Sequence, residues 1–159
     1  MNPSFSDRFA ALLDSHGAAL RRVASVHAGR AGEEEDLYQE ILLQLWRSLP
    51  SFKNDATLKT WVYRVALNTA LTWRRSERRA RVIATDTPPE YPAPAQIDSY
   101  ALVSEFLATL GKVDRSILLL YMEGMSHAEI GDVVGLNVGA VAVRVFRLKQ
   151  SFEDRYVEH

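Results

Sequence analysis

The stretch from Ser126 to Arg155, SHAEIGDVVGLNVGAVAVRVFRLKQSFEDR, constrains this chain more than any other. Ser126 and Glu129 have the spacing of a capping box, in which the hydroxyl accepts from a helix N–H and the carboxylate reaches back to the cap. Ile130, Val133 and Val134 share one face of the helix that follows. Gly135 suits the left-handed position that ends a helix, and Leu136 can plug the turn from inside. Asn137 then caps a longer helix whose inner side is Val141, Val145 and Leu148. A short helix, a tight glycine turn and a second helix with outward arginines form a helix-turn-helix pattern. An ordinary helical hairpin is the plainer alternative. The turn chemistry and the basic second helix favour DNA binding.

Upstream, the apolar residues keep helical spacing. Pro3 and Ser4 open a helix expected over 4–28, with Gly17 a mild interruption and Gly29 and Gly32 opening a turn. The run EEEDLYQEILLQLWRSL starts with acids, which suit a helix N-terminus. Leu37, Tyr38, Ile41, Leu42, Leu45, Trp46 and Leu49 form its apolar stripe, and Pro50 follows its end. Asp36, Gln39, Glu40, Gln44 and Arg47 face outward, which by itself is an ordinary solvated face.

After the polar loop SFKNDAT, a long helix runs from Leu58 to about Arg81. Leu58, Trp61, Val62, Val65 and Thr69 are expected to face a core. Thr60, Arg64, Asn68, Leu71, Thr72 and Arg75 fall on another side. Arginine neutralises phosphate and asparagine can pair with an adenine edge, so this row suits nucleic acid. A solvated basic helix end is the bland alternative.

Val82 to Asp98 holds four of the six prolines, which keep a chain extended and stop helices. Beyond it, Tyr100 to Leu110 reads as a helix with Leu102, Val103, Phe106, Leu107 and Leu110 inward. Gly111 breaks it, Asp114 is the expected cap of RSILLLYMEG, and Gly124 stops that helix. No strand alternation or internal repeat interrupts the pattern. The expected fold is all-α: a helical domain over 1–81, a linker over 82–98, and a helical domain over 99–159 ending in the helix-turn-helix.

Composition narrows the function classes. The 159 residues include no cysteine, so disulfides and thiolate metal sites are excluded. No apolar run is long enough to span a bilayer, and MNPSFSDRFA lacks a signal-peptide layout, so a soluble, intracellular chain with no membrane contact of its own is expected. The net charge of −1 conceals a segregated distribution. Residues 74–81 hold five arginines against Glu77, whereas Glu33 to Asp36 are four acids in a row. His16, His27, His127 and His159 show no ligand spacing, the consecutive acids make a poor cation cage, and no glycine-rich phosphate loop precedes a helix. An enzyme is not expected, nor any cofactor.

In this order, the pieces resemble a bacterial RNA polymerase sigma factor of the extracytoplasmic-function (ECF) group, over nearly the whole chain. EEEDLYQEILLQLW is similar to the helix that docks on the polymerase clamp. SFKNDATLKTWVYRVALNTALTWRRSERR is similar to the loop and helix that open and read the near (−10) element. YMEGMSHAEIGDVVGLNVGAVAVRVFRLK is similar to the helix-turn-helix that reads the upstream (−35) element. The resemblance implies a cytoplasmic factor that binds core RNA polymerase, directs it to promoter DNA, assists melting, and is restrained from outside by an anti-sigma protein. It implies polymerase contacts at Asp36, Gln39, Glu40, Gln44 and Trp46. Near-element contacts are expected at Lys53, Asn54, Asp55, Arg64, Asn68, Arg74 and Arg75, with a flipped base held near Phe52 to Leu58. Trp61 is assigned mainly to the core. Upstream contacts are expected at Asn137, Arg144, Arg147 and Lys149.

The recognition helix departs from the family's usual pattern. Ala142 and Val143 stand where a polar or basic pair is common, and Phe146 stands where a polar residue is common. Burial by the protein's own packing, contact with thymine methyls and docking of another protein are all open readings for Val143 and Phe146. Few side chains then remain for base edges, so weak reading of the upstream element is expected. Two other functions compete: a sigma-like module that sequesters an anti-sigma protein without reading DNA, and a helix-turn-helix repressor independent of polymerase. The repressor leaves the acidic helix without a role.

Overall fold

A computed structural model describes residues 4–29, 32–53, 56–81 and 99–157, with the side chains of 74–81 and 99–100 excluded. Among these residues all regular structure is helical: α1 (Phe5–His27), α2 (Glu33–Ser48), α3 (Leu58–Arg81), α4 (Ser99–Thr109), α5 (Lys112–Met122), α6 (His127–Val134) and α7 (Val138–Tyr156). A 3-10 turn over Leu49–Ser51 follows α2. The chain divides into two compact units, residues 1–90 and 91–159. The proline-rich stretch 82–98 expected as a linker lies outside the described residues.

In the first unit α1, α2 and α3 pack pairwise against one another. Ser4 and Asp7 form a capping box that starts α1, which runs through Gly17 without a break. The left-handed Gly32 (φ +93°) turns the chain into α2, whose four leading acids meet the positive end of the helix dipole. Thr57 starts α3: its Oγ1 accepts from the Thr60 N–H at 3.2 Å. Leu20, Val23, Leu37, Ile41, Leu45, Val62, Ala66 and Ala70 are sealed in the core. Small residues on α3 let its backbone approach the other two helices.

Two expectations about α3 fail here. Leu58, assigned to the core, is 39% exposed, because it occupies the first turn beyond the edge of the packed layer. Thr60, assigned to the reading face, is only 4% exposed and bonds the capping Thr57 hydroxyl. Tyr63, Ala66 and Leu67 take the inward positions beside Val62.

The second unit is organised around α5, where Arg115 through Leu120 are all buried. A helix covered on every side is central to its unit. α6 and α7 pack on it and on each other. Arg115 donates to the carbonyls of Leu107 at 3.0 Å, Ala108 at 3.3 Å and Leu110 at 3.0 Å. It thereby satisfies orphan acceptors at the C-terminal end of α4 and carries its charge where the dipole is negative. Asp114 is not the cap expected of it: Gly111 occupies that position and Asp114 sits in the first turn of α5. The left-handed Gly124 and Gly135 end α5 and α6.

Candidate nucleic-acid interface

The helix-turn-helix forms as its residues dictate. Ser126 Oγ accepts from the Glu129 N–H at 3.1 Å while Glu129 returns a carboxylate to the Ser126 N–H at 3.0 Å. After Gly135 (φ +79°), Asn137 Oδ1 accepts from the Ala140 N–H at 2.8 Å and starts α7. Ile130, Val141, Val145 and Leu148 are buried and hold α7 in place. The Leu136 carbonyl oxygen lies against Gly131, so closely that a Cβ at 131 would collide with it.

Three of the four residues expected to read the upstream element, Asn137, Arg144 and Arg147, line an open groove of about 740 Å³ together with Val143, and Lys149 does not. Arg147 is exposed. Arg144 is half-buried and donates to Asp114 Oδ1 at 2.8 Å, a contact that gives Asp114 its place beside the groove. Lys149 lies over the Tyr121 ring at 5.5 Å, with its Nζ 3.4 Å from the phenol oxygen. Asn137 is exposed, and its Oδ1 is engaged in capping. Burial of Val143 and Phe146 by the protein's own packing does not occur: they are 47% and 67% exposed. They lie on the face of α7 opposite Val141, Val145 and Leu148, which fill the core.

In the first unit, Arg64, Asn68 and Thr72 follow one another at steps of four along exposed α3. Asn68 and Thr72 share a groove of about 490 Å³ with Glu40 and Gln44 of α2. Residues expected to touch polymerase and residues expected to touch DNA therefore border one surface. Glu40 and Gln44 are half-buried, and the Gln44 amide donates to Glu40 at 3.0 Å. Asp36 and Gln39 are exposed. Gln39 donates to Glu35 at 3.0 Å. That bond first, and the Arg21 guanidinium second, hold the Glu35 carboxyl below its ordinary range.

Trp46 is 40% exposed rather than fully in the stripe. Its ring stands edge-on to Phe5 at 4.4 Å and Phe9 at 5.0 Å, which fixes its orientation while leaving one edge outward. Lys53 is exposed. Asn54 and Asp55, and the side chains of Arg74 and Arg75, lie outside the described residues. Trp61 is half-buried and packs on Phe52 with ring centroids 5.3 Å apart. Beside this pair a groove of about 420 Å³ is lined by Leu49, Phe52 and Leu58 together with Asp7 and Arg8 of α1. Local spacing could not have connected Asp7 and Arg8 with the loop, because only the α1 packing brings them there.

Two family models match in this order: sigma-70 region 2 over residues 12–80 and sigma-70 region 4 over residues 100–151. The ECF RNA polymerase sigma factor SigL of Mycobacterium tuberculosis is 33% identical over 87% of this chain and 86% of its own length. The ECF sigma factor SigE of Mycolicibacterium smegmatis is 30% identical over 93% of this chain, which spans 61% of that relative. Among solved structures, CnrH in complex with the cytosolic domain of CnrY is 26% identical, with a TM-score of 0.68 over 92% of this chain and 85% of that one. With two sigma-70 regions in succession and relatives of this identity across most of its length, the chain belongs to the ECF group of RNA polymerase sigma factors.

Proposed function

We propose that this sigma factor binds core RNA polymerase through α2, directs it to specific promoters and assists melting, without a catalytic step or cofactor of its own. Asp36, Gln39, Glu40, Gln44 and Trp46 supply the polymerase contact. Lys53, Asn54, Asp55, Arg64, Asn68, Arg74 and Arg75 engage the near element. Phe52 and Trp61 offer the stacking surface that an unstacked base requires. Arg144, Arg147, Lys149 and the Asn137 amide engage the upstream element. The work takes place in the cytoplasm, where core polymerase is.

The observation that carries this reading is the combination, in one chain, of an acid-led helix with a helix-turn-helix whose second helix has no acid from Val138 to Phe152. Run-off transcription tests it, using the purified chain, bacterial core polymerase and a pool of genomic promoter fragments. Specific transcripts should appear only when chain and core are both present. Absence of transcripts and of core binding would refute the proposal.

A second reading is a sigma-like module that holds an anti-sigma protein without reading DNA. It draws on the solved complex of CnrH with CnrY. Promoter-dependent transcription separates the two readings, and an anti-sigma partner remains compatible with the first.

A further inference from the structure

The outer crest of α7 is apolar where its flanks are cationic. Val143 and Phe146 stand three residues apart on the exposed face, at 47% and 67% exposure. Neighbours at that spacing lie about 5–6 Å from each other on a helix surface. Arg144 and Arg147 lie toward one side of this crest and Lys149 toward the other, and the helix holds no acid until Glu153. The crest cannot rotate inward, because Val141, Val145 and Leu148 already fill the core on the opposite side.

A stable protein partner needs an interface of roughly 1,000 Å² or more with an apolar centre. Two side chains bordered by cations form a strip only one helix wide. Duplex DNA is the better complement. Its phosphates meet the cations, and its major groove offers one apolar group in unmodified DNA, the C5 methyl of thymine. We infer that Val143 and Phe146 read thymine methyls in the upstream promoter element, so that part of this factor's promoter choice is made by apolar contact. The inference rests on the proposed promoter-directing function.

Base pairs rise about 3.4 Å per step, so the two methyls belong to base pairs one or two steps apart. Uracil has the hydrogen-bonding groups of thymine and lacks only the methyl, so this site treats it as a wrong base. A promoter found by run-off transcription supplies the probe: duplexes of its upstream element in which each thymine in turn is replaced by uracil, bound by the reconstituted holoenzyme. Two replacements should each weaken binding about fourfold (~0.8 kcal/mol for one buried methyl). Val143→Ser should abolish the penalty at one of those positions and Phe146→Ser at the other. The uracil change alters only DNA, so a folding defect cannot imitate it. Equal affinity for thymine and uracil throughout, the result expected if the crest docks a protein, overturns the inference. So does an undiminished uracil penalty in the V143S/F146S double variant. Transcription with uracil indifference removes this inference alone, whereas no promoter-dependent transcript removes the proposed function and this inference together.

Discussion

The His16 imidazole is half-buried on α1, edge-on to the Tyr63 ring at 6.5 Å. Burial first, and the nearby Lys59 charge second, lower its pKa from 6.5. Below 6.5 the unfolded chain therefore takes up a proton that the folded one resists, and stability falls as pH drops through this window. The thermal midpoint of the first unit should decrease between about pH 7.5 and pH 5.5, and His16→Gln should decrease less. An equal decrease in both proteins would acquit His16. Arg144 is a second residue with a separable role. Its pair with Asp114 is partly solvated, so Asp114→Asn should cost under ~1 kcal/mol of stability and tighten promoter binding by releasing the guanidinium. Arg144→Ala should weaken binding and lower the salt slope by about one if the contact is to phosphate. Salt titrations of both variants check this, and weaker binding by Asp114→Asn would contradict it. Neither His16–Lys59 nor Arg144–Asp114 could be read from spacing, since each joins separate helices.

The helix-turn-helix owes its turn to a close backbone approach. The Gly131 carbonyl accepts from the N–H groups of Gly135 at 2.8 Å and Leu136 at 3.2 Å, bringing the Leu136 carbonyl down onto Cα of Gly131. Gly131→Ala should destabilise the second unit by about 2 kcal/mol, the scale of overpacking in a tight site. Chemical denaturation measures this, and unchanged stability would show that the turn relaxes freely. The caps Ser126 and Asn137, the stop Gly135 and the buried face of α7 were legible because local geometry determines them. The crowding at Gly131 was not, because its cause lies across the turn. Likewise Thr60 and Leu58 exchanged their expected environments: periodicity gives a helix face, while the Thr57 cap and the end of the packed layer decide what the first turn meets. The role of Arg115 is not legible in the sequence, because its partners are backbone carbonyls, which any sequence provides.

At the scale of the molecule, the near-zero net charge says little, and the placement of charge says much. Acids lead α2, whereas α7 bears Arg144, Arg147 and Lys149 and no acid before Glu153, and each unit closes a core of its own. The order of the segments made the sigma architecture recognisable. The meeting of Glu40 and Gln44 with Asn68 on one groove required the packed fold. The bridge from Asp114 to Arg144 has a further consequence, one of time rather than contact. Every cation facing a phosphate lengthens the stay on DNA of any sequence, and a genome offers about 10⁶–10⁹ wrong sites. With Arg144 facing phosphate as proposed, the Asp114 carboxylate that occupies its guanidinium should shorten each such stay, so that holoenzyme leaves indifferent DNA sooner and spends more of its search on sequences able to hold it by their bases.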